Sequence, residues 1–383
     1  MSSPPLLNML GASWDFGAPV VGVAWDGVGD TVGFALGDGH LAVTRALWPK
    51  GPRVEPRPEG GVGMVAAEEP APRPVRVACH PGTCLALVSD GPGSFLTGGD
   101  DGRVVQVPRV GAPTVLDHLG GAWIDALACG RGHLRVYASG KRVQRVTGGT
   151  GTGIGVRSGK GIDLPAPATA MAFSPDGRCL AIAHSGGATL WADDGTVRRL
   201  AWSGYPRAIA WSPDGKYLVC GLQENALHGW RVADGGDIEM GGYPGQPLSL
   251  SFAFDGRYLA TSGGTRPVCW GFNPPGADDG PVECGIESKT PVSFVACHPN
   301  QSLIATGYHN GAVVLCQPGS SDGLFIKGSG AGAVNALAWS GDGSRLAFGT
   351  QEGTFGWLSL PSSLFRTRAV EGAPKRAVHH HVY

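Results

Sequence analysis

The chain has 383 residues, of which 64 are glycine and 30 proline, so about one residue in four is a turn former. Charged residues make up 16%, hydrophobic residues 42%, and the formal net charge is −1. These figures exclude a disordered chain, poor in apolar residues and high in net charge, and a helical bundle, whose interiors glycine and proline would break; an all-β fold of short strands and tight turns remains.

Met1 to Phe16 lack the charged start and apolar run of a secretory leader. Their end, Ser13-Trp14-Asp15-Phe16, reads as a strand with no unit of its own. An alternating apolar strand then closes on alanine followed by an aromatic residue or cysteine at Ala24-Trp25, Ala78-Cys79, Ala128-Cys129, Ala172-Phe173, Ala210-Trp211, Ala253-Phe254, Ala296-Cys297 and Ala338-Trp339. Units repeated at this spacing cannot bury their faces alone and must stack on one another.

Within a unit a sharp turn follows the pair, as at Ser174-Pro175-Asp176-Gly177, Ser212-Pro213-Asp214-Gly215 and Ser340-Gly341-Asp342-Gly343. Proline presets φ, and the Asp-Gly step accepts the left-handed conformation, so the strand reverses. A second apolar strand and a second turn come next. The third strand often carries tryptophan, at Trp191, Trp230, Trp270 and Trp357, and a weaker fourth strand ends the unit. Lys50 to Pro58, in the proline-rich stretch Pro49 to Pro74, reads as an exposed excursion between strands. Gly148 to Gly161 is a second, glycine-rich loop.

This grammar resembles the WD40 repeat, whose units are four-stranded blades of a β-propeller with a period of about 40–45 residues. The resemblance spans roughly residues 14 to 360. It departs from the family where Trp191, Trp230 and Trp270 are followed by Ala192, Arg231 and Gly271 in place of aspartate, and where no Gly-His pair occupies the loop that helps form the family's hydrogen-bonded tetrad. The resemblance implies a single closed propeller over residues 1–361. Eight blades are expected, seven if the first or third unit forms none, with the strand near 13–16 completing the last blade. Residues 362–383, with their histidine cluster, are expected to be a C-terminal tail.

The apparent chemistry is thin. Gly148-Gly149-Thr150-Gly151-Thr152-Gly153 lacks the Gly-Lys-Ser/Thr and following helix of a phosphate loop. Cys79-His80 and Cys297-His298 recur at one repeat position without zinc spacing, and read as core and turn residues. His40, His118, His133, His184 and His228 stand apart from any recognisable nucleophile motif, so no enzyme and no cofactor are expected. The nine cysteines, scattered in apolar strands, fit reduced thiols in the cytoplasm. No basic stripe suits nucleic acid, and no run of 18 apolar residues suits a membrane. Arginine outnumbers lysine 23 to 7, which fits a GC-rich bacterial genome.

In WD-repeat propellers the upper face is made by the loops entering each first strand and the turns between second and third strands. The resemblance therefore places Trp123, Tyr205, Arg207, Tyr243, Arg266, Tyr308 and His309 there as a candidate partner surface, with Gln351 and Glu352 beside them. Two functions follow: a non-catalytic scaffold or adaptor that binds a protein on this face, or a metal-handling accessory protein using its Cys and His content and the tail residues His379, His380 and His381.

Overall fold

Strand and tight turn, repeated along the chain, fold into eight four-stranded antiparallel sheets, the blades of an eight-bladed β-propeller. The computed structural model describes residues 4–57, 61–146, 161–272 and 280–361. The innermost strands of blades 1 to 8 are Val20–Trp25, Cys84–Ser89, Ala126–Cys129, Ala168–Phe173, Pro206–Trp211, Leu250–Phe252, Val292–Cys297 and Val334–Trp339. Each lies against the inner strands of both neighbours, and the last lies against the first, so the ring is closed. Trp191, Trp230, Trp270 and Trp357 all sit on third strands.

Two of the eight sequence pairs are displaced from the repeat. Ala78 ends the outer strand of blade 1 (Val75–Ala78), and Cys79-His80 lie in the loop leading to blade 2. The residues of blade 2 equivalent to Ala210-Trp211 are Val88-Ser89, as the strand register shows. In blade 6 the equivalent pair is Ser251-Phe252, and Phe254 lies in the following turn. The two Cys-His pairs thus occupy opposite ends of their blades. His298, in a lower turn, stands 3.0 Å from the Gly343 carbonyl through Nε2 and packs its ring on Trp339. A Cβ at Gly343, which has φ +74°, would strike that imidazole. The proline-rich stretch of blade 1 holds a two-stranded hairpin, Arg53–Pro56 with Val62–Val65, between the third and outer strands.

Closure joins the two ends of the propeller. The outer strand of blade 8 is Gly11–Asp15, antiparallel to Thr354–Ser359 with Gly11 opposite Leu358 and Asp15 opposite Thr354. A single helical turn, Leu7–Leu10, precedes it. Leu6, Leu7 and Leu10 are buried with Ile326, Leu346 and Leu358, sealing blade 7 to blade 8. Trp14 and Phe16 pack on Phe355, which also meets Phe34 of blade 1 at 4.6 Å between ring centroids. Among the described residues no helix is long and apolar enough to cross a membrane.

The burial of those three leucines, at roughly 1.5–3 kcal/mol each, adds to the strand pairing. A chain lacking residues 1–16 is expected to melt well below the full-length protein and to associate through the bared edge of Thr354–Ser359. Thermal unfolding and size-exclusion chromatography measure both; an unchanged melting temperature with monomeric elution would refute the closure argument.

Candidate functional site

On the upper face, each loop side chain is buried or free according to what the blade beneath offers it. In blade 2 the loop residue His80 is buried, with Nδ1 2.9 Å from the Asp101 carboxylate and Nε2 3.0 Å from the Thr97 hydroxyl. This places an imidazole, a second-strand hydroxyl and a turn carboxylate in one network, although no glycine precedes the histidine. In blade 6 the loop residue is Tyr243. The Trp270 indole donates to its hydroxyl, which bonds the Thr261 hydroxyl at 2.6 Å, and Thr261 donates to the Val268 carbonyl. Thr97 and Thr261 occupy the same repeat position, so a second-strand threonine marks both anchored loops.

The candidate surface divides accordingly. Tyr243 is 8% exposed and Tyr308 3% exposed, so neither offers surface to a partner. Burial pushes both phenols up to about 12. Tyr243 anchors its loop, and Tyr308 ends the second strand of blade 7 within the apolar cluster shared with blade 6. Arg266 is held by Glu287 at 3.1 Å and lies 3.9 Å from Glu283. Trp123 is 62% exposed in the loop entering blade 3. Tyr205 and Arg207 are exposed in blade 5, with the guanidinium 5.9 Å from the phenol ring, and the Tyr205 backbone amide donates to the Glu224 carboxylate. His309, Gln351 and Glu352 are exposed in the turns of blades 7 and 8. The structure thus brings Tyr205, Arg207 and Glu224 together on blade 5, while Trp123 stands two blades away.

One further set, of which the sequence reading named only Arg207, comes from the inner strands. Inner strands of six blades carry a bulge near their upper end, and the extra residue is Val21, Leu85, Thr169, Arg207, Ser293 or Asn335. A bulge re-aims its residue out of the ladder, here at the mouth of the central channel. Val21, Arg207 and Asn335 are exposed there, and Leu248, entering blade 6, is 43% exposed. The signal lay in the alignment of Val20-Val21-Gly22 with Pro206-Arg207-Ala208.

The remaining chemistry is that of a packed interior. Burial pushes the Cys79 thiol up to about 11 and the Cys129 and Cys316 thiols up to about 12, so they are protonated near neutrality. The Cys269 and Cys284 sulfurs are 3.1 Å apart. Among the described residues no group of three His, Cys, Asp or Glu side chains is placed to hold a metal. His379, His380 and His381, and the run Gly148 to Gly153, lie outside the described residues.

No protein-family model matches the sequence, and no curated protein does either. Among solved structures the chain is similar to the computationally designed Ika8 protein, with a TM-score of 0.67 and 16% identity over 90% of this chain and 98% of that one. At that identity the likeness concerns the fold alone.

Burial holds the imidazoles of His80, His184, His228 and His298 below their ordinary 6.5. On acidification the unfolded chain therefore takes up protons first. Stability is complete above the unfolded value and is lost as pH falls through the folded values. The melting temperature is expected to drop between pH 7 and about pH 5, above the carboxylate range, and to drop less in His80→Gln. A flat profile measured by circular dichroism would contradict this assignment.

Proposed function

We propose that this chain is a degenerate WD-repeat propeller, of bacterial origin and cytoplasmic, that serves as a non-catalytic scaffold by holding a protein partner on its upper face. The observation that carries the reading is the exposed Tyr205–Arg207 pair at the upper end of the inner strand of blade 5. Tyrosine and arginine dominate interface hot spots because each joins a large contact area to a polar tip. Arg207 has no carboxylate within ion-pair distance among the described residues, whereas Arg266 does, so Arg207 is the better recruit for a partner's acidic group. Trp123 and His309 extend the surface to either side. The arginine-rich composition supports the bacterial assignment, and the free cysteines, six of them buried, fit a reducing compartment.

The test begins by cross-linking in cell extract to identify the partner, followed by titration with purified protein. Replacing Tyr205 and Arg207 together by alanine is expected to weaken binding by about 2–4 kcal/mol while the melting temperature holds. Tyr243→Phe, which removes only the buried hydroxyl, should do the reverse: a lower melting temperature and unchanged affinity per folded molecule. Equal affinity of the double variant and the parent would rule out this surface.

A further inference from the structure

We infer that a cleft on the lower face, between blades 1 and 2, binds a small molecule with an anionic head and an aliphatic body. The cleft encloses about 410 Å³, within the range of small-molecule sites. It lies at the end of the blades opposite Tyr205 and Arg207, so it stands apart from the scaffold surface. Its walls are apolar: Val43, Pro72, Val75 and Val77 of blade 1 face Pro108 and Val110 of blade 2.

The charged side chains are all cationic. Arg45, Arg73 and Arg109 line the cleft, and among the described residues no aspartate or glutamate does. Arg76 and Arg103 on neighbouring strands pair with Asp38 and Asp101, but among the described residues none of the three cleft arginines has a carboxylate within ion-pair distance. Three arginines around one cleft, with no paired carboxylate among the described residues, on a chain of net charge −1, call for an anion from outside.

Thr31 supplies a second, independent observation. It lines the same cleft, is 0% exposed, and its hydroxyl has no hydrogen-bond partner among the described residues. Buried polar groups are nearly always satisfied, so an orphaned hydroxyl in the wall of the cleft is a donor left over by the fold itself. Thr31 pairs across the sheet with Arg45, so the two side chains leave the same face of blade 1. The walls are fixed in advance: the Thr44 hydroxyl donates to the Pro72 carbonyl, and the Arg109 amide donates to the Gly93 carbonyl. The head is a carboxylate or a phosphate, recognised by the same donors, and the valine and proline walls take the hydrocarbon.

Isothermal titration of the full chain with decanoate and with decyl phosphate tests this and separates the two heads. At least one is expected to bind saturably, and more weakly as salt is raised. Decyltrimethylammonium, with the same tail and the opposite charge, and inorganic phosphate, with a head and no tail, should bind at least about tenfold more weakly. The triple variant Arg45→Gln, Arg73→Gln, Arg109→Gln should lose binding. Thr31→Val, isosteric and relieved of the orphaned hydroxyl, should keep or raise the melting temperature and weaken the ligand several-fold. No binding of either anion, equal binding of the cationic amphiphile, or undiminished affinity in the triple variant would overturn the site. Undiminished affinity in Thr31→Val would overturn the role given to its hydroxyl.

Discussion

The inner strands of neighbouring blades are not paired as a sheet, so the ring depends on side chains that cross from one inner strand to the next. The tryptophan of the repeated pair is the main crossing device. Trp25, Trp211 and Trp339 each donate an indole N–H to an alanine carbonyl of the preceding blade, namely Ala338, Ala172 and Ala296. Each acceptor belongs to the preceding unit's own pair, so one short sequence supplies both halves of a joint. Where the tryptophan is missing, another contact takes over. Cys297 reaches Ser251 through both its sulfur and its amide. Between blades 2 and 3 the buried Arg135 forks onto Asp90 at 2.6 and 2.9 Å, with Gln106 and Ser94 satisfying the same carboxylate. Such a pair fixes geometry more than it adds stability, and losing one partner leaves a buried charge.

Joints of this kind explain why the upper and lower faces can differ so much in character. The hydrophobic contacts and indole bonds hold the blades at fixed spacing, and the loops above and turns below are free to vary. On the upper face, Ser293 and Asn335, both bulged residues, donate to the inner-strand carbonyls of Val334 and Val20 in the next blade. Arg207 at the equivalent bulge is left exposed. One backbone irregularity thus yields a structural latch in two blades and an exposed cation in a third.

Much of the architecture was legible in the sequence because turn chemistry and strand alternation are local signals. The Ser-Pro-Asp-Gly turns are such a case: Ser174 and Ser212 bond Asp176 and Asp214 within the turn, as the residue types imply. The third-strand tryptophans and the eight-fold count could be read for the same reason. Register failed where a non-local feature intervened. The hairpin inserted in blade 1 lengthened that unit, and the outer strand ending at Ala78 carries the same alternation as an inner one. The twin triplets Gly204-Tyr205-Pro206 and Gly242-Tyr243-Pro244 have opposite fates for a reason no local reading contains. Blade 6 offers Tyr243 the Thr261 hydroxyl, whereas blade 5 has Cys220 there, and Trp202 stacks on His228 at 3.6 Å beside it. The cleft arginines were equally invisible, since Arg45, Arg73 and Arg109 converge only across two blades.

The closing strand imposes an order of events on biosynthesis. Gly11–Asp15 leaves the ribosome before any of its hydrogen-bonding partners exist, and Thr354–Ser359 emerges after seven blades have been made. A nascent chain therefore carries an unmatched strand with Trp14 at one end and presents a matching vacancy only at the other end of synthesis. Two chains that finish together hold complementary halves of the same joint, and strand exchange between them makes the same contacts as closure within one. Local chain concentration on a polysome thus decides between a ring and a linked pair.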